Sequence, residues 1–103
     1  MNLSQEDWTA KLNSTSDAVI LDVRTPDEIA EGIIPNAIVN DIHTGQDFIN
    51  KLESMDKSKS YFVYCKLGGR SEQACAIMNQ MGFVETYNLV GGFTNWNGKV
   101  TIP

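Results

Sequence analysis

The stretch Tyr61-Phe62-Val63-Tyr64-Cys65-Lys66-Leu67-Gly68-Gly69-Arg70-Ser71 decides how this chain is read. Its first four residues are aromatic or β-branched, the side chains that fit a pleated surface. No polar residue interrupts them, which suits a strand covered on both faces, as in a parallel sheet. Adjacent glycines then turn the chain. From Ser71 onward Ala74, Ile77, Met78 and Met81 recur at helical spacing, and Gly82 is a helix stop. Strand, short loop and helix together place Cys65 beyond the carboxyl end of a strand, where parallel sheets collect their sites.

The same alternation continues outward. Upstream, Lys57-Ser58-Lys59-Ser60 is a polar turn, preceded by a helix from Thr44 with Phe48, Ile49, Leu52 and Met55 on one face. Ala37-Ile38-Val39 and Ala18-Val19-Ile20-Leu21 read as strands, the latter ending at Asp22. Thr25-Pro26-Asp27-Glu28 carries the signals of a helix start, with Thr25 as cap, Pro26 at the first position and Glu28 reaching back. That helix is expected to end near Gly32. Ser4 and Asp7 resemble a capping pair opening a helix over 4–13. Downstream, Val84 to Leu89 reads as a strand, and Gly91-Gly92 opens a short helix around Phe93 and Trp96. The pattern predicts an α/β fold with a mainly parallel sheet.

Composition narrows the function. At 103 residues, 42% of them apolar, the chain is expected to be one domain, residues 1–103, able to bury an ordinary core. A net charge of -5 argues against nucleic-acid and anionic-membrane partners, both of which need a basic footprint. Two cysteines without a CxxC pair, and one histidine, make neither a disulfide framework nor a four-ligand zinc site, so no metal is expected. The amino-terminal MNLSQEDWTAKL carries no basic-then-apolar leader, and no apolar run reaches membrane-helix length. The expected setting is the cytoplasm, with reduced thiols.

Chemistry concentrates at Cys65. A cysteine at the start of a glycine-containing loop that runs into a helix meets inward-pointing N–H groups and the positive end of the helix dipole. Both favour thiolate over thiol. Between Ser60 and Val84 the charged residues are Lys66, Arg70 and Glu72, so the loop reads as a positive island suited to an anionic substrate. This reading requires the Cys65 sulfur to be open to solvent and the loop amides to turn inward. His43, in a polar stretch, reads as a surface residue rather than a catalytic base. Cys75, between Ala74 and Ala76 within the helix, reads as core.

The segments LDVRTPDEIAEGIIPNAIVN, CKLGGRS and LVGGFTNWNG, in this order along the chain, resemble the rhodanese-like domains, and single-domain thiosulfate sulfurtransferases in particular. The resemblance spans about residues 3–100. It implies a central parallel sheet of about five strands with helices on both faces. It also implies that Cys65 carries sulfur as a persulfide, with no cofactor, and that Lys66, Leu67, Gly68, Gly69, Arg70 and Ser71 cradle it. Lys66 and Arg70 would help bind thiosulfate or a similar small anionic donor. Asp22 and Arg24, matching the family's Asp-Val-Arg, are expected to be structural: a strand-end carboxylate accepting loop N–H bonds, and an arginine paired with an acidic neighbour. Trp96 is expected in the core, and Gly91 and Gly92 in a tight turn near the loop. The family's His-Ile-Pro-Gly-Ala stands here as Ile33-Ile34-Pro35-Asn36-Ala37, with Asn36 able to take the left-handed conformation of the missing glycine. Leu67 is more apolar than the family's usual residue.

The expected reaction moves sulfur from the donor to Cys65 and then to cyanide, a thiol or an acceptor protein. Three competitors stand beside it. A phosphatase or arsenate reductase loop reads cysteine, five residues, arginine; here four residues separate Cys65 from Arg70. A partner-docking or sulfur-carrying module without turnover uses the same fold. A redox pair of Cys65 and Cys75 would form a disulfide. Oligomeric state is left open.

Overall fold

The computed structural model describes residues 1–103. Five strands and four α-helices follow in the order β1 (Asn2–Leu3), α1 (Gln5–Asn13), β2 (Ala18–Asp22), α2 (Pro26–Ile29), β3 (Ile38–Val39), α3 (Gln46–Glu53), β4 (Ser60–Tyr64), α4 (Gly69–Gln80) and β5 (Glu85–Leu89). Short 3-10 turns occupy Ile42–Thr44 and Phe93–Asn95. The strands form one sheet in the order β1-β5-β4-β2-β3, every pairing parallel. The α/β parallel sheet flanked by helices is therefore as the sequence predicts.

β4 lies at the centre, between β2 (Ala18 opposite Ser60 through Asp22 opposite Tyr64) and β5 (Ser60 opposite Glu85 through Val63 opposite Asn88). Every residue of β4 is buried, which explains its unbroken run without polar alternation. Its side chains divide between two cores. Tyr61, Val63 and then Cys65 pack with Phe48 and Leu52 of α3 and Ala74, Cys75 and Met78 of α4. Phe62 and Tyr64 pack with Trp8 of α1, Tyr87, Leu89 and Ile34. Trp8 is completely buried, donates its indole N–H to Tyr87 O at 3.2 Å, and meets Phe62 and Trp96 edge-on. Trp96 itself is half-buried at the margin of this second core. No helix is long and apolar enough to cross a membrane.

The local signals explain where elements begin better than where they end. The Thr25–Glu28 box is complete: the Thr25 side chain accepts from Glu28 N, and Glu28 Oε1 accepts from Thr25 N at 3.0 Å. α2 nevertheless stops at Ile29, three residues short of the expected Gly32. α4 starts at Gly69, two residues earlier than the apolar periodicity indicates. β1 was not expected at all. It is two residues long and borrows its order from β5, through Asn88 N–H to Met1 O at 2.8 Å and Val90 N–H to Leu3 O at 2.9 Å. Asn36 takes φ 71°, the left-handed conformation anticipated for it.

Candidate functional site

The β4–α4 loop is built around a sulfur atom. Leaving β4, Cys65 directs its side chain toward the α3–α4 core. Gly68 turns back with φ +110°, a conformation that favours glycine, and its N–H donates to Cys65 Sγ at 3.0 Å. The Ser71 hydroxyl, in the first turn of α4, reaches the same sulfur at 3.3 Å. Burial disfavours a thiolate here. Hydrogen bonds from the Ser71 hydroxyl and from the Ser71, Gly68 and Leu67 amides outweigh it and hold the Cys65 thiol below its ordinary value. The amides turn inward, as expected.

The open sulfur that the catalytic reading requires is contradicted by the closed loop. Cys65 is 1% exposed, so the sulfur is not open to solvent. The reason is the ring itself: a loop that closes tightly enough to aim its amides at one sulfur atom also roofs that atom. Lys66 and Leu67 form the outer side of the roof and are exposed, Leu67 by 67%. Gly69 is exposed as well.

A second turn clamps the loop from behind. Cys65 O accepts from Phe93 N at 2.9 Å, and Lys66 O accepts from Thr94 N at 3.0 Å. With the carbonyls held backward, the amides of the following residues are free to face the sulfur. Gly92, at φ +59°, lies under this contact; a Cβ there would stand 2.5 Å from Lys66 O and 2.6 Å from Cys65 O. The tight turn expected at Gly91-Gly92 is thus a backbone-to-backbone seat that admits no side chain.

The charges are arranged differently from the local sequence reading. Arg70 does not point free into the loop. Its guanidinium meets the Glu28 carboxylate in a two-pronged pair, Nη1 to Oε1 at 2.7 Å and Nη2 to Oε2 at 2.8 Å. Hydrogen bonding to Arg70 and Thr25 holds the Glu28 carboxyl at about 2, against the cost of burial. The positive island is therefore compensated by a residue 42 positions away along the chain. Lys66 joins none of the ion pairs.

The acidic neighbour of Arg24 is Asp22 itself, and the two form a buried pair, 0% and 2% exposed. Arg24 donates from Nη2 to Asp22 at 2.7 Å and to Gly32 O at 2.7 Å, and from Nη1 to Glu28 O at 3.3 Å. Its guanidinium lies 4.2 Å from the Phe93 ring centre, joining the end of β2 to the turn that clamps Cys65. Arg24, Glu28, Glu31, Lys66, Phe93 and Thr94 line a cleft of about 260 Å³ beside the loop.

Asn88 on β5 escaped the sequence reading. It is buried, and its Oδ1 makes a short hydrogen bond with the Ser71 hydroxyl, while its Nδ2 donates to Gly68 O at 3.2 Å. Its one signal was an amide between Tyr87 and Leu89, a polar side chain inside an otherwise buried strand. His43 is exposed and pairs with Asp41. Cys75 is buried in α4, and burial pushes its thiol up to about 11. The two cysteines are free thiols. No three His, Cys, Asp or Glu side chains gather where a metal could be held.

Comparison with known proteins places this geometry in context. Residues 5–99 match the rhodanese-like domain as a family. A sulfurtransferase from Allochromatium vinosum is 35% identical over 94 residues, covering 91% of this chain and 85% of its own length. A thiosulfate sulfurtransferase, GlpE, from Coxiella burnetii is 36% identical over 91 residues, covering 88% of this chain and 80% of the relative. Among solved structures, a rhodanese-like domain protein from Staphylococcus aureus superposes with a TM-score of 0.84 at 28% identity, over 99% of this chain and 97% of that one.

Proposed function

The chain belongs to the rhodanese-like domain family, and from that premise we propose that it is a sulfurtransferase that carries sulfur as a persulfide on Cys65. The observation that carries this reading is the convergence of the Gly68 N–H, at 3.0 Å, and the Ser71 hydroxyl, at 3.3 Å, on the Cys65 sulfur. Such donors favour the thiolate, the form that attacks.

Two steps follow. The Cys65 thiolate attacks the outer sulfur of a small anionic donor such as thiosulfate. The new S–S bond forms as the donor's S–S bond breaks, and sulfite leaves with the electron pair. A second nucleophile, cyanide in the test tube or a thiol or acceptor protein, then takes the terminal sulfur and returns Cys65 to thiolate. Sulfur is carried covalently, and the steps are written with no cofactor. Because Cys65 is 1% exposed, loading requires residues 66–69 to move aside and re-form their ring around the added atom.

That same burial favours the second reading, a rhodanese-fold module that docks a partner without turnover. One experiment separates them. The protein is incubated with thiosulfate and its intact mass measured, then thiocyanate is assayed after cyanide is added. The sulfurtransferase gains the mass of one sulfur atom on Cys65 and yields thiocyanate, and Cys65→Ser does neither. Thiocyanate formation by Cys65→Ser, or no sulfur gained by the wild-type protein, defeats the catalytic reading.

A further inference from the structure

Resting on the sulfur-transfer reading, we infer that Asn88 is a positioning residue: its carboxamide holds the Ser71 hydroxyl off the Cys65 sulfur while that sulfur is neutral and yields it once the sulfur is anionic. The observation is a chain of hydrogen bonds that runs from the sulfur to the protein surface through the amino-terminal strand. The Ser71 hydroxyl lies 3.3 Å from Cys65 Sγ and makes a short hydrogen bond with Asn88 Oδ1. Asn88 Nδ2 donates to Asn2 Oδ1 at 3.0 Å, and Asn2 Nδ2 donates to Glu72 Oε2 at 2.6 Å. β1 thereby joins the site.

The polarity of this chain is fixed at both amides. Asn88 Nδ2 also donates to Gly68 O at 3.2 Å, and a carbonyl can only accept. Asn88 therefore turns its oxygen, and not its NH₂, toward Ser71. Asn2 turns its NH₂ to the Glu72 carboxylate, another acceptor, and so offers its oxygen to Asn88. Every donor points away from the sulfur, and bonds aligned in one sense polarise one another. Asn88 is 3% exposed, so bulk water offers its oxygen little alternative to Ser71.

Charge on the sulfur decides where the hydroxyl points. A thiol sulfur is a weak acceptor, so the Ser71 proton stays with the amide oxygen and the Ser71 lone pairs face the S–H. A thiolate is an ionised acceptor, to which a hydrogen bond is roughly twice as strong, and the hydroxyl rotates to it. No proton leaves Ser71; the Cys65 proton goes to solvent. Once Cys65 bears the extra sulfur, Sγ is divalent and neutral again, and the hydroxyl returns to Asn88. Asn88 thus holds back thiolate formation and reserves the Ser71 donor for the anionic stages of the cycle. Other ionisable groups surround the sulfur. Cys75 and Tyr61 share its core cluster. Arg70, paired with Glu28, is near enough to act on Cys65 by its charge. Lys66 follows in the loop, Glu72 lies on α4, and Asp22 pairs with Arg24 at the end of β2. Substitutions at Asn88 or Asn2 leave all of them in place.

The test follows iodoacetamide alkylation of Cys65 against pH in the intact chain, with the modified residue located by peptide mass. Asn88→Val fits a strand, and Gly68 O keeps the Glu72 N–H at 3.1 Å. It is expected to speed alkylation at neutral pH about fivefold by moving the midpoint to lower pH, with the high-pH plateau unchanged. Asn2→Ala, at the exposed end of the chain of bonds, should move the midpoint the same way and raise the neutral rate about twofold, and it serves should Asn88→Val fold poorly. In a Ser71→Ala background neither substitution should move the midpoint. A loosened loop alone would raise the plateau and return the midpoint to that of an ordinary thiol, at higher pH, and that pattern overturns the inference. So does a midpoint that shifts equally with and without Ser71, or one that neither substitution moves. Sulfur gain from thiosulfate, measured by mass on the same proteins, tests the underlying reading separately. A wild type that gains none overturns sulfur transfer, while the midpoint shifts still assign control of Ser71 to Asn88.

Discussion

Gly92 lies directly against the carbonyl oxygen of Cys65: a Cβ on it would be 2.6 Å away. Two backbone segments meet here at a distance that only hydrogen in place of a side chain permits. The hydrogen bonds from Phe93 N and Thr94 N hold the Cys65 and Lys66 carbonyls on that side, so the loop's opposite face is left to the amides. A residue from the end of the chain thereby sets the direction in which the β4–α4 loop presents its donors.

Gly92→Ala is accordingly expected to lower stability by more than about 2 kcal/mol, combining positive φ with contact against backbone that cannot yield. Gly69→Ala is the control, because nothing stands within 4 Å of a Cβ there. It should stay within about 0.5 kcal/mol of the parent. Thermal denaturation of the two variants checks the contrast.

Replacing Ser71 by Ala removes the side-chain donor to the Cys65 sulfur. The folded protein holds that thiol below its ordinary value, so loss of the donor moves it upward. Alkylation of Cys65 by iodoacetamide at neutral pH should slow by about tenfold, with the pH profile displaced to higher pH. An unchanged profile would assign the effect to the backbone amides alone.

The Glu28–Arg70 pair makes a signed prediction about acid. The Glu28 carboxyl is held at about 2 in the folded chain, below its ordinary value of roughly 4.3 in an unfolded one. Its contribution to stability is therefore complete above the unfolded value and lost as pH falls toward the folded one. Wild type and Glu28→Gln should differ by about 1 kcal/mol at neutral pH, the scale of a partly exposed pair, and converge near pH 2. Urea titrations across that range measure it.

Cys75 should behave as packing. It is buried, and its thiol is pushed up to about 11. Cys75→Ala is expected to cost about 1 kcal/mol and leave sulfur loading of Cys65 unchanged. Mild peroxide followed by peptide mass mapping should find no Cys65–Cys75 disulfide; finding one would revive the redox reading.

What the sequence disclosed, and what it withheld, follows the distance over which each interaction acts. β4, its loop and α4 were legible because their signals are contiguous: an unbroken apolar run, two glycines, a helical period. The start of α2 was legible for the same reason, since Thr25 and Glu28 satisfy each other within one turn. β1 was not, because Asn2 and Leu3 have no strand signal of their own and depend on β5 for order. The partner of Arg70 was hidden because Glu28 reaches it only through the fold, and a count of local charges therefore overstated the positive field. The covering of Cys65 was hidden too: inward amides and an open sulfur were expected together, yet closing the ring achieves the first by removing the second.

The Ser71 hydroxyl has a single proton and three acceptors within reach: the Cys65 sulfur, Gly68 O and Asn88 Oδ1. It can satisfy one at a time. Charging or capping the sulfur would therefore swing the hydroxyl, and the change would be felt by the carboxamide on the neighbouring strand. The side-chain NH₂ resonances of Asn88 become a remote spectroscopic reporter of cargo, read by NMR from a residue that makes no hydrogen bond to the sulfur.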